Sequence, residues 1–125
     1  MPVTVECNPD ILVVTVNISA GQRLRHTIDD EDARDIEFAL VNNAGKKLLE
    51  TLKPPRIIIW PNNEFPAPAQ IDRHTLGLQF TGQATIKWKV ELLSGDTVLQ
   101  TLKECEYTND GGIHAHFNRL RIEVE

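Results

Sequence analysis

Of the four histidines in this chain, His114 and His116 have the spacing that could do chemistry. Two positions apart on a strand, their imidazoles project from one face, and their ring nitrogens could share a transition metal. Two ligands do not make a catalytic site. A zinc or iron centre needs a third protein ligand, which His26, His74, Asp110 or a carboxylate of the acidic stretch could supply, but the sequence places none of them beside the pair. The plainer expectation is two polar side chains on the solvent face where a strand begins.

With the preceding Gly111-Gly112, this pair resembles the His-x-His of cupins, small β-barrels that often bind a metal. The resemblance covers those residues alone. Leu120 and Arg121 stand where the cupin Glu should follow, and the chain ends before a later Gly and His, so cupin chemistry is not carried over.

Other constellations lack essential members. Ser19 and Ser94 are the only serines, and neither lies in a Gly-x-Ser-x-Gly elbow. Neither Cys7 nor Cys105 has the adjacent cation of a thiolate nucleophile, and no glycine-rich phosphate cradle is present. Asp29, Asp30, Glu31, Asp32 and Asp35 are oxygen-rich, but their spacing matches no known calcium cage. Asp29 or Asp30 is expected instead to cap a short helical turn. Asn17-Ile18-Ser19 matches the glycosylation sequon but lies in a strand expected to be buried, which discounts it.

Recognition has a different candidate. Residues 61–70 hold Pro61, Pro66 and Pro68, which exclude helix and ladder pairing and leave a stiff, extended loop. Trp60 and Phe65 flank or occupy it. An exposed ring there could stack on a sugar or anchor in a partner's pocket; the competing expectation is that Trp60 is core and Phe65 covers an edge.

These residues must be positioned by strands. Ile86, Trp88, Val90 and Leu92 alternate with Thr85, Lys87, Lys89 and Glu91, a period of two that buries one face. Ser94-Gly95-Asp96 turns the chain, and Thr97 to Leu102 returns as a hairpin. Leu120, Ile122 and Val124 alternate in the same way at the end. Earlier, Val3 to Cys7 forms a strand ended by Asn8-Pro9-Asp10. Ile11 to Ile18 is nearly all apolar and reads as a strand covered on both faces, ended by Ser19 to Gln22. From His26 to Asp35 the chain reads as polar loop. Ile36, Phe38 and Leu40 resume the alternation, with Asn42 to Gly45 as turn and Lys46 to Leu52 as return strand, although a helix from Asp30 to Asn43 also fits. Lys53 to Arg56 connects to a fully apolar strand, Ile57 to Trp60. Leu76, Leu78 and Phe80 form another strand, in a part that shows no chemistry, and turns are expected at Thr81 to Gln83 and Thr108 to Gly112. The run Ile86-Lys87-Trp88 resembles the Trp-bearing strand of immunoglobulin-like domains.

Eight or nine short strands with little helix imply an all-β chain, an antiparallel β-sandwich of immunoglobulin-like or jelly-roll type, in a single domain over residues 1–125. A chain of 125 residues with 41% hydrophobic and 25% charged side chains can bury a core without staples. Its net charge of −5, with scattered cations, argues against nucleic acid. No apolar run approaches the ~20 residues that cross a bilayer, and no signal peptide is recognisable. The chain as written is expected in the cytoplasm, or in a secreted or periplasmic setting if trimmed from a precursor. Buried thiols are accordingly preferred over a Cys7–Cys105 bridge.

Two functions of different class follow. The favoured one is a non-catalytic binding or assembly module that presents loops to a protein or carbohydrate partner, with Trp60 and Phe65 as contacts and no cofactor. The last strand, if an edge, could also pair with a second copy. The alternative is a small metalloprotein or metal-dependent enzyme centred on His114 and His116.

Overall fold

The structure is a computed structural model that describes residues 4–8, 13–19, 21–29, 34–41, 56–61 and 71–124. Among these residues every element is a strand: β1 (Thr4–Asn8), β2 (Val13–Ile18), β3 (Gln22–Asp29), β4 (Arg34–Val41), β5 (Arg56–Trp60), β6 (Ile71–Ser94) and β7 (Thr97–Val124). β6 and β7 form one hairpin of 24 and 28 residues. Its loop is Gly95-Asp96, where Gly95 takes a φ of 60° that side-chain-bearing residues rarely adopt.

This hairpin builds both layers of a β-sandwich. Its half near the loop pairs with β3 and β1, and β5 extends β3, giving the first layer. Its other half pairs with β4 and β2, giving the second. The register slips between Thr81 and Gln83, where the hairpin passes from one layer to the other. The turns expected at Thr81 to Gln83 and Thr108 to Gly112 are therefore corrected: both stretches remain strand, and their glycines serve a change of sheet. Two long elements replace four of the expected short ones.

Alternation sets the core. Ile86, Trp88, Val90 and Leu92 are buried from the first layer, facing Leu76, Leu120, Ile122, Val16 and Ile18 from the second. Fully burying each such side chain contributes about 1.5–3 kcal/mol, so this row is the main source of cohesion between layers.

Several expectations are corrected. Pairing is antiparallel throughout the described ladders except for β2, which runs parallel to the end of β7. β2 is covered on one face only: Val16 and Ile18 are buried, whereas Val13, Thr15 and Asn17 are exposed. Its nearly continuous apolar run concealed an ordinary period of two. The ground for discounting the sequon at Asn17 accordingly does not hold. β3 occupies the start of the expected polar loop, and Asp29 ends that strand opposite Lys87 rather than capping a helical turn. β5 is not fully enclosed, because Ile57 and Ile59 are 51% and 40% exposed. The last strand is no edge, since β6 and β2 flank it, which removes the premise for pairing with a second copy there. The alternation at Ile36, Phe38 and Leu40 is a strand and not a helix, while the expected turn and return strand at 42–52 lie outside the described residues.

Cys7 and Cys105 are bridged, correcting the preference for thiols. The reason is register: antiparallel pairing of β1 with β7 sets Cys7 directly opposite Cys105, across a sequence separation of 98.

Candidate functional site

The inward positions of β3 are Leu24, His26 and Ile28, and those at the start of β6 are Asp72, His74 and Leu76. A strand carries His26 inward because it stands between two aliphatic residues that must be buried. The same alternation carries Asp72 and His74 inward ahead of Leu76. Since β3 and this half of β6 belong to facing layers, the two imidazoles meet in the core.

They form a chain of contacts. Trp88 Nε1 lies 3.3 Å from His26 Nδ1, His26 Nε2 lies 2.9 Å from His74 Nδ1, and His74 Nε2 lies 3.4 Å from Asp72 Oδ2. The His26 and Trp88 rings are parallel within 4°, and Trp60 packs edge-on against His74 with centroids 4.7 Å apart. Both imidazoles are fully buried. An indole N–H can only donate, so His26 Nδ1 must accept. Neutral His26 then carries its proton on Nε2 and donates to His74 Nδ1, which leaves the His74 proton on Nε2, toward Asp72. That last contact is long, and His74 Nε2 has no well-formed hydrogen bond. Asp72 is anchored through Oδ1, which accepts the Arg73 backbone N–H at 2.9 Å. Burial, followed by the neighbouring His74, pushes the pKa of His26 well below the ordinary imidazole value.

A second polar cluster crosses the core nearby. Asn118 Nδ2 donates to Tyr107 Oη at 2.8 Å and sits 3.2 Å and 3.5 Å from the sulfurs of Cys7 and Cys105. Asn118 Oδ1 is buried without a hydrogen-bond partner. Burial raises the pKa of Tyr107, opposed by the bond from Asn118.

The outward face of the first layer is different in character. Glu6, Asn8, Lys87, Lys89, Glu104 and Glu106 line an open groove of about 500 Å3, with Cys7, Cys105 and Trp88 beneath it. The register explains the walls: Glu6 lies opposite Glu106, which lies opposite Lys87, and Asn8 lies opposite Glu104, which lies opposite Lys89. Beside it, Arg25 donates through Nε and Nη2 to Glu91 Oε1 at 3.1 and 2.9 Å, which is why Glu91 is buried on a face that otherwise meets water.

The residues singled out from sequence are distributed otherwise. Trp60 is buried and makes an edge-on contact with His74, the core placement weighed beside its reading as a partner contact. Phe65 lies outside the described residues. His114 and His116 occupy alternate positions of β7, opposite Phe80 and Leu78. His74 pairs in register with Leu120, four positions along β7 from His116. Among the described residues no group of three or more His, Cys, Asp or Glu could hold a metal ion. No helix is long and apolar enough to cross a membrane among the described residues.

Sequence reading missed Asp72 and Asn118, and named His26 and His74 only as candidate third metal ligands, not as partners of each other in the core. The available signal was their place in the alternation, between or beside aliphatic residues that the core requires. No protein-family model matches the chain, and no curated protein or solved structure shows significant similarity to it.

Proposed function

We propose that the protein is a non-catalytic binding or assembly module whose partner, a protein, docks on the outward face of the first layer. The observation that carries this reading is the groove over β1, β7 and β6, with acidic and basic side chains set in adjacent rows. Such a pattern fixes the register of a polar partner, because a shifted chain meets like charge. The buried histidines support the reading from the other side, since three of their four ring nitrogens are engaged with one another and with Trp88. A protein is favoured over a carbohydrate because Trp60, Trp88 and Tyr107 are all spent in the core, leaving none of these rings for sugar stacking.

Paired charge reversals test the groove. Lys87→Glu/Lys89→Glu is expected to weaken capture of a cross-linked protein partner from native extract at least tenfold, with thermal stability unchanged. Binding that survives this change, or that appears only on a glycan array, would sink the reading. A second reading, a metal held by His114 and His116, is favoured by their alternate positions on one strand. Mass-spectrometric metal content of the same protein and of His114→Ala/His116→Ala separates the two.

A further inference from the structure

We propose that the chain of contacts from Trp88 through His26 and His74 to Asp72 is a proton-operated latch between the layers, in which uptake of one proton opens the Trp88–His26 link. At neutral charge each nitrogen along the chain has one role: Trp88 donates, His26 accepts at Nδ1 and donates at Nε2, and His74 accepts at Nδ1. A proton added to His26 Nδ1 would face the indole N–H. One added to His74 Nδ1 would face the Nε2–H of His26. Neither ring can be charged while every link stays closed.

The surroundings decide where the charge goes. Asp72, the carboxylate at the far end, lies 3.4 Å from His74 Nε2. Among the residues whose side chains are described, the other titratable or charged ones at inward positions are Arg56 of β5 and Lys103 and Tyr107 of β7. Lys103 shares a cross-strand row with Val90 and His26, whereas Asp72 lies on the His74 side. Protonated His74 holds hydrogen on both nitrogens and becomes the donor to His26. His26 must then accept at Nε2 and carry its own proton on Nδ1. Two donors, the indole N–H and the new Nδ1–H, are left facing each other, and that contact opens. The net change is one proton gained by the pair, with the His26 proton moved from Nε2 to Nδ1.

Nitrogen-15 NMR of the imidazoles and indoles between pH 8 and pH 4.5 reads each step. The expected result is Nε2–H at His26 at high pH, Nδ1–H after a single transition, and a Trp88 indole shift with the same midpoint. The Trp60 indole, which makes only an edge contact with His74, is expected to move less. Trp88→Phe removes the opposing donor, so the imidazole pair should bind its proton roughly tenfold more tightly. An Nδ1–H tautomer at His26 already present at pH 8, or a midpoint unchanged or lowered in Trp88→Phe, would overturn the latch. Trp88 is among the largest fully buried side chains, and if its replacement does not fold, the tautomer of the native chain decides alone.

Discussion

His74 and Asn118 stand on neighbouring strands of the second layer, one inward position apart, and both reach across the core to the first layer. The contacts they make there differ in kind. His74 meets a ring that can change its charge and its tautomer. Asn118 meets a covalent bridge and a phenol, groups that keep one state across the physiological pH range. Even the imperfections differ: the histidine chain is directed along its length and ends in a long contact to Asp72, whereas Asn118 leaves its carbonyl oxygen with no donor at all. One core is thus pinned twice, by a contact sensitive to protons and by one sensitive to electrons. Trp88 ties the two together, since its cross-strand neighbour is Cys105 and its indole donates to His26.

The largest break falls on the covalent pin. Replacing Cys7 and Cys105 by alanine, or reducing them, releases a constraint on a loop spanning a sequence separation of 98. By the chain-entropy estimate the loss is about 4.7 kcal/mol. Urea unfolding with and without a dithiol checks it, and equal midpoints would show that the bridge adds nothing to the ladder between β1 and β7.

Acid acts on the other pin. The pKa of His26 lies below its unfolded value of 6.5, so the unfolded chain binds the proton first. The stability contributed is fully present above pH 6.5 and is lost as pH falls from there toward the folded-state pKa. The slope is about 1.4 kcal/mol per pH unit for one proton. Unfolding midpoints measured from pH 7.5 to 5 should fall accordingly in the native chain, and far less in His26→Leu. If both chains show the same slope, other groups account for it.

The alternation through Ile86, Trp88, Val90 and Leu92 is local, and it predicted the buried face correctly. The same rule applied to Leu24, His26 and Ile28 would have found β3, but a histidine beside carboxylates reads as loop when its partner is unknown. That partner, His74, is 48 positions away. Gly82 and Gly111-Gly112 show the same limit: local chemistry is alike for a turn and for a strand that changes layer, and the difference lies in pairing between Thr81 and Ile113. The bridge was hidden likewise, because nothing near Cys7 specifies that Cys105 will lie opposite. Local periodicity was readable, and the long-range register that assembles the sites was not.

The smallest effect is expected where the second pin is least well satisfied. Asn118→Leu keeps nearly the same volume, removes the buried oxygen that has no donor, and gives up the bond to Tyr107 Oη. A lost neutral hydrogen bond costs about 1 kcal/mol, and leaving a buried polar atom unpaired costs about 1–3 kcal/mol, so the two changes oppose each other. The net change in stability should lie within about 1 kcal/mol of zero, and it should not vary between pH 5 and 7.5, since no group of this cluster titrates there. Asn118→Ala also removes the orphan but opens a void against Tyr107 and the bridge, so it should destabilise more than Asn118→Leu. Urea midpoints of both variants decide the point. A loss of several kcal/mol in Asn118→Leu would mean that the amide, and not the disulfide beside it, carries the second contact between the layers, and the contrast with His74 would then be one of degree.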